Sequence, residues 1–275
     1  MSKTALVTGA SSGIGEETAR TLHKLGYTVY AAARRTDRLE KLTPIGIHAL
    51  AMDVTDDESM TSGIEKIIAK TGGIDVLVNN AGYGSFGAIE DVSTDEARRQ
   101  FEVNVFGLAR LTQLVLPHMR AQRSGTIINI SSIGGRFTTL LGGWYHASKH
   151  AVEALSDALR METAPFGIDV VVIEPGLIRT EWSGIAAKHL EETADGSVYA
   201  SQIKAVANSM RSESTNKRQS PPSVIADTVE KIVTARKPRT RYVVGFAAKP
   251  LVTLRRLLPD RAFDRLISAG QGARR

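Results

Sequence analysis

The sequence predicts an α/β fold, a doubly wound parallel sheet of about seven strands with helices on both faces. Three observations predict it. Short apolar, β-branched runs alternate with longer amphipathic ones from the first residues onward, the rhythm of parallel strands joined by right-handed helical crossovers. The early runs are apolar almost throughout rather than at alternate positions, as strands covered on both faces must be. A glycine-rich turn separates the first run from the first helical pattern.

The strands are expected at Ala5–Thr8, Thr28–Ala33, His48–Met52, Val76–Asn79, Thr126–Ile130, Asp169–Glu174 and Tyr242–Val244, with helical patterns near 14–25, 57–70, 94–121, 145–165 and 223–236. Residues 1–246 read as one unit, because α/β folds of this size often stay single. Residues 183–222 break the rhythm with alanine, charge and the polar stretch Ser212–Pro222. A segment so long is expected to be a lid or a mobile insertion. From 247 to 275 the chain turns basic and amphipathic, with Leu251, Leu254, Leu257 and Leu258 beside Arg255 and Arg256 and an interruption at Pro259.

Composition narrows the function classes. The 275 residues contain no cysteine, which removes disulfides and thiolate metal sites. No run approaches the roughly 20 apolar residues of a membrane span, and the chain starts directly on strand-like sequence, so a cytoplasmic, soluble protein is expected. The net charge of +6 is uneven: residues 231–275 hold 12 Lys/Arg against 2 Asp/Glu, net +10, which leaves −4 for residues 1–230. Such a tail reads as a solvated helix or as a contact with anionic membrane. Nucleic acid is not expected as a partner, since aromatic interleaving and a recognised nucleic-acid fold are both missing.

Chemistry concentrates in two places. Tyr145 and Lys149 are one helical turn apart, so phenol and ammonium project from one face. An ammonium there is expected to pull the phenol down from about 10. Ser132, thirteen residues upstream at a strand end, is placed to share a carbonyl oxygen with the tyrosine. Ser131 is the competing serine. His146 and His150 flank the pair, but no third ligand is apparent, and they are expected at exposed helix positions with no metal.

The second place is the turn Thr8-Gly9-Ala10-Ser11-Ser12-Gly13-Ile14-Gly15. Gly9 suits a tight turn, Gly13 a close backbone approach to a pyrophosphate, and Gly15 close helix–sheet packing, while the helix N-terminus favours an anion. The spacing departs from the generic G-x-G-x-x-G form.

Taken with Asn79-Asn80-Ala81-Gly82, Asn104, Ser132, Tyr145, Lys149 and Pro175-Gly176, the turn strongly resembles the short-chain dehydrogenase/reductase family, single-domain branch, closely over about residues 3–180. The Asn-Asn-Ala-Gly-Tyr-Gly run and the leucine–arginine tail look most like its steroid- and retinol-active relatives. The resemblance implies a Rossmann-type fold and NADP(H) or NAD as cofactor. It implies Tyr145 as general acid/base, Ser132 as donor to the substrate oxygen, Lys149 on the nicotinamide ribose and Asn104 as holder of a relay water. It also implies a homodimer or homotetramer. Cofactor contacts are expected from Ser11, Ser12, Ile14, Asn80, Ala81, Gly82, Asp53, Val54, Pro175, Gly176, Ile178 and Thr180. Asp53 is equally placed to cap the helix that follows.

An acidic group is missing at the end of the second strand, where Ala33 is followed by Arg34 and Arg35. Guanidinium groups suit a 2′-phosphate, so NADP(H) is expected, through Arg34 first and Arg35 second. Tyr83, Phe86, Phe137, Leu140, Leu141 and Trp144 are placed either to wall an apolar pocket or to pack the core. The expected activity interconverts a carbonyl and an alcohol on a small-molecule, hydrophobic substrate. A cofactor-binding sensor on the same fold is the alternative.

Overall fold

The computed structural model describes residues 2–212 and 217–272. Its sheet has seven strands: β1 (Thr4–Thr8), β2 (Thr28–Ala33), β3 (His48–Ala51), β4 (Val76–Asn79), β5 (Gly125–Ile130), β6 (Ile168–Pro175) and β7 (Arg241–Val244). They run in the order β3-β2-β1-β4-β5-β6-β7, and every neighbouring pair is parallel. The order reverses at β1, so the crevice beyond the carboxyl ends of β1 and β4 is where a ligand is accommodated.

Strand alternation builds a core on each face. Ala5 and Val7 of β1 join residues of α1 (Gly13–Lys24) and of the helix Ser223–Thr234. Leu6 points the other way, to Ile64 and Ile67 of α2 (Asp57–Thr71) and to Leu111 and Val115 further along. At about 25 cal/mol per Å² of apolar area removed from water, these two layers are the main stabilising contribution. The continuous apolar strands are explained by this double burial.

The pattern expected as one helix over 94–121 is three pieces: α3 (Thr94–Phe101), a π-helical turn Glu102–Phe106, and α4 (Gly107–Gln122). The wider turn shifts the helical register and carries Asn104, which is 1% exposed. Such turns recur at functional sites. Next comes α5 (Gly143–Thr163).

The irregular-looking 183–222 region is largely helical in its described part, with α6 (Trp182–Glu192) and α7 (Ala200–Arg211) antiparallel neighbours in sequence. Of the polar stretch Ser212–Pro222, residues 213–216 lie outside the described residues. Ala186 and Leu190 of α6 and Ile203, Val206 and Ala207 of α7 share a cluster with Phe86, Leu141 and Tyr145. The helix Ser223–Thr234 is α8.

Beyond β7, Pro259 separates two helices, α9 (Ala248–Leu257) and α10 (Asp260–Gly270). Their apolar stripe is not left to solvent. Val252, Leu254, Leu258, Phe263 and Ile267 pack on Ile133 and Phe137, and the Leu140 backbone N–H donates to the Gln271 side-chain oxygen at 3.1 Å. Among the described residues no helix is long and apolar enough to cross a membrane.

Candidate active site

The glycine turn and the Asn-Asn-Ala-Gly segment are stitched together across the switch point. Thr8 Oγ1 accepts from the backbone N–H groups of Asn80 and Ala81, each at 3.0 Å. Asn80 Nδ2 returns a bond to Thr8 O at 2.9 Å and to Gly9 O at 3.2 Å. Gly9 has φ +63, and a Cβ there would stand 2.9 Å from Ala81 Cα. At Gly15 a Cβ would meet Gly9 O at 2.4 Å, so this glycine lets α1 press against the turn. The Asn80 segment is thus a clamp on β1 rather than an ordinary turn.

A cavity of about 1360 Å³ opens beside this clamp. It exceeds the roughly 300–1,000 Å³ of a single-ligand pocket. Ser11, Ser12, Gly13, Ile14, Asp53, Val54, Ala81, Gly82, Pro175, Gly176, Ile178 and Thr180 all line it. Thr180 reaches the glycine turn, since a Cβ on Gly13 would lie 3.0 Å from its Cγ2. Asp53 does not cap α2. Its Oδ1 accepts from Thr55 N at 3.0 Å, while Asp56 takes the cap position and accepts from Ser59 N.

Arg34 and Arg35 are exposed on the cavity rim, and among the described residues neither has an ion-pair or hydrogen-bond partner. Neighbouring cations are engaged: Arg38 pairs with Glu181 at 2.9 Å and Lys41 with Glu16 at 2.5 Å. An anion brought to the rim meets two uncommitted guanidinium groups.

Tyr145 and Lys149 both face the cavity from the first turns of α5. Ser132 caps the short helical turn after β5, accepts from Gly134 N at 3.0 Å, and stands near the Tyr145 phenol. Ser131 is 3% exposed and its hydroxyl lies against Gly135 and has no partner.

The expected depression of the phenol is corrected. Burial pushes Tyr145 up to about 12, and the nearby Ser132 hydroxyl only partly opposes it. The reason lies in the lysine. Its ammonium donates to Ile130 O at 2.9 Å and is itself brought down to about 8 by burial, with Glu153 opposing. Desolvation disfavours the charged form of both groups.

The Asn104 amide is fully engaged. Nδ2 donates to Tyr83 O at 2.9 Å and to Ser148 Oγ at 3.0 Å, while Oδ1 accepts from Tyr83 N at 3.0 Å. Ser148, on the Tyr145 face one turn on, donates to Tyr145 O at 2.7 Å. Asn104 thus fixes both the Tyr83 loop and the start of α5.

Several residues of the site were not anticipated. His146 is buried rather than exposed, at 4%. Its Nδ1 lies 3.1 Å from Gly134 O and its Nε2 3.0 Å from Thr139 Oγ1, so the neutral ring bridges loop and helix and burial brings it down to about 4. His150 is exposed as expected. Glu153 is buried and accepts from Arg241 at 3.0 Å, and Arg241 also reaches Asp157 and Glu174. Ser148 and Glu153 lie three and four residues from Tyr145 and Lys149 respectively, so the helix periodicity held a signal for both. Arg241, 88 residues from Glu153, left none.

The walls include Tyr83, Phe86, Phe137 and Trp182. Phe86 and Trp182 rings stand 5.6 and 5.2 Å from the Tyr145 ring. Of the six apolar residues expected to line the pocket or pack, Leu141 joins the core cluster around Tyr145 and Trp144 packs on Phe101.

Compared with known proteins, the chain has the order of strands of short-chain dehydrogenase structures. The short chain dehydrogenase family model matches residues 3–190. The chain belongs to the short-chain dehydrogenase/reductase family. It is 39% identical over 262 residues to a probable short-chain type dehydrogenase/reductase, VdlC, of Helicobacter pylori, covering 95% of each chain. It is 36% identical over 274 residues, again 95% of each, to an NADPH-dependent 3-dehydrocapnine reductase of Ornithobacterium rhinotracheale. A crystal structure of a short-chain dehydrogenase from Streptomyces avermitilis superposes with a TM-score of 0.82 at 32% identity, covering 100% of this chain and 99% of that one.

Proposed function

We propose that this family member is an NADP(H)-dependent oxidoreductase that interconverts a carbonyl and an alcohol on a hydrophobic substrate. One observation carries the reading. Tyr145, Ser132 and Lys149 line the same cavity whose rim holds the uncommitted Arg34 and Arg35. A relative is named as NADPH-dependent, which supports the arginine reading.

The cradle fits a dinucleotide. Side chains at Gly9 and Gly13 would intrude on the turn and on Thr180, and the N-terminus of α1 points its free N–H groups at the same space. Gly9, Ser11, Ser12, Gly13 and Ile14 would hold the pyrophosphate, while Gly15, which does not line the cavity, would serve by packing α1 on the turn. Asp53 and Val54 would hold the adenine, Arg34 and Arg35 the 2′-phosphate, and Asn80, Ala81 and Gly82 the neighbouring ribose. Pro175, Gly176, Ile178 and Thr180 would hold the nicotinamide end. When bound, the nicotinamide supplies or accepts hydride.

The chain's own residues do the rest. Ser132 donates to the substrate oxygen where negative charge develops. Tyr145, kept protonated by burial, gives its proton to that oxygen in reduction and takes it back in oxidation. Lys149, anchored on Ile130 O, orients the ribose and stabilises the phenolate that forms. Because the Asn104 side chain is committed, a relay water at this position is held by main-chain carbonyls of the π-helical turn.

Tyr145→Phe is expected to lower kcat/KM for NADPH-coupled carbonyl reduction by about 10²–10⁴-fold with cofactor affinity retained. Wild-type protein that binds NADPH yet oxidises none across a broad carbonyl panel would point instead to a sensor. A homo-oligomer through the outer faces of α4 and α5 is supported by the exposed Leu155 and Met161. Sedimentation velocity reads it, and a monomer at all concentrations would remove it.

A further inference from the structure

The cavity does not end at Tyr145. Its lining also takes residues of α7 and of the C-terminal pair α9 and α10: Val206 and Met210, Leu251 and Leu254, Leu266 and Ile267. The first two pairs are spaced four and three apart, as residues on a shared helical face must be, while Leu266 and Ile267 are adjacent. Leu251, Leu254 and Ile267 are only half-buried although their helices pack on Ile133 and Phe137. Apolar side chains left in that state at the wall of an internal space have room for an apolar ligand.

Charge is distributed unevenly along the cavity. Among the described residues lining it, the charged ones are Arg34, Arg35, Asp53, Glu96, Arg99, Glu102, Lys149 and Glu181, and the far end formed by residues 206–271 has none. A carboxylate or phosphate carried there would be desolvated without a partner. The wall is also held in place, since the Leu140 N–H donates to Gln271 and Phe137 packs edge-on to Phe263 at 5.2 Å.

We infer that α7, α9 and α10 form a tail compartment that takes the neutral aliphatic chain of a single-chain ketone whose carbonyl lies at Tyr145 and Ser132. The inference rests on the reductase reading above and names its substrate class, a long-chain aliphatic ketone or the matching secondary alcohol. The occupant is fixed by continuity with the reacting phenol at one end and by absence of charged lining residues at the other. The helices beyond β7 thereby become a specificity element.

The experiment is a homologous series of methyl ketones from about six to about sixteen carbons, measured both by NADPH oxidation and by calorimetric binding to the cofactor-loaded enzyme. Each methylene buried in the compartment is expected to raise kcat/KM about fourfold until the compartment is full. An ω-carboxylated chain of the same length is expected to lose that gain. Leu254→Trp is expected to move the plateau to shorter chains and Leu254→Ala to longer ones, with Ile267→Trp as a second filling variant. Opposite shifts cannot come from a general loss of fold. Leu257→Trp, at a position 73% exposed, is expected to leave the plateau where it is. Measurable reduction of short ketones with no dependence on chain length, or unchanged plateaus in the Leu254 variants, would overturn the compartment and leave the reductase standing. Length-dependent calorimetric binding with no turnover at any length would do the reverse.

Discussion

Tyr145 is buried beside a lysine and still holds its proton tightly. Burial places it at about 12 and Lys149 at about 8. In the reduction we propose, a phenol that resists ionisation would be the proton donor, and Ser132 and Lys149 would stabilise the phenolate as it forms. Arg34 presents the opposite case, an exposed cation with no partner among the described residues. Arg34→Ala is expected to weaken NADPH binding by about 10–100-fold, the size of a lost charge-assisted hydrogen bond, and to leave NADH binding nearly unchanged. Fluorescence titration with both cofactors checks this. A wild type that prefers NADH would sink the assignment. Both arginines were legible in the sequence, because a strand end without an acidic residue is a local feature. The direction in which Tyr145 shifts was not, because desolvation depends on what α6, Phe86 and Trp182 place over the ring.

At the scale of elements, α5 organises the site. One stripe carries Tyr145, Ser148, Lys149, Val152, Glu153 and Ser156, all buried, and a second contact comes from His146, which pins the loop after Ser132 through Gly134 and Thr139. That pin has a pH signature. His146 is brought down from 6.5 to about 4 in the folded chain. Between those values the unfolded chain binds a proton that the folded chain refuses, so stability falls as pH drops through this window. The loss attributable to this residue is on the order of 3 kcal/mol. Urea unfolding at pH 7 and pH 4.5 is expected to show that difference in wild type and a clearly smaller one in His146→Asn. Equal slopes in the two proteins would refute it. The spacing of Tyr145 and Lys149 put them on one helical face, and α5 turns both toward the cavity. The sequence misjudged His146, since helical periodicity does not tell whether a flanking loop folds back over the helix. It also read 94–121 as continuous, because a π-helical turn has no residue signature comparable to proline or glycine.

Across the whole molecule, the basic C-terminal segment is divided between two tasks. Its apolar stripe packs on Ile133 and Phe137, which leaves Leu257, 73% exposed, in a segment that also carries Arg255, Arg256, Arg261 and Arg265. Contact with an anionic membrane, if it is made by this segment, therefore rests on few apolar groups and mainly on charge, at about 1 kcal/mol per Lys/Arg near the surface. The expected outcome is co-sedimentation with phosphatidylserine vesicles at low ionic strength that is lost at about 1 M salt and weakened in Leu257→Glu. Absence of sedimentation at low salt removes the contact. The same hairpin would then present the tail compartment close to a lipid surface.

What the sequence determined by itself is what depends on short spacings: the glycine turn on the first strand, the phenol and ammonium one turn apart, the serine at a strand end, the arginines after the second strand, and the alternation that dictates a parallel sheet. Each is fixed by backbone geometry over a few residues. The tertiary structure decided what depends on distant segments meeting. Glu153 found Arg241, Asn104 closed on Ser148 and Tyr83, and the helices beyond β7 returned to wall the cavity. Solvation made those outcomes unreadable from the chain alone, because the charge state of a side chain and the use of an apolar stripe depend on which surfaces exclude water from them.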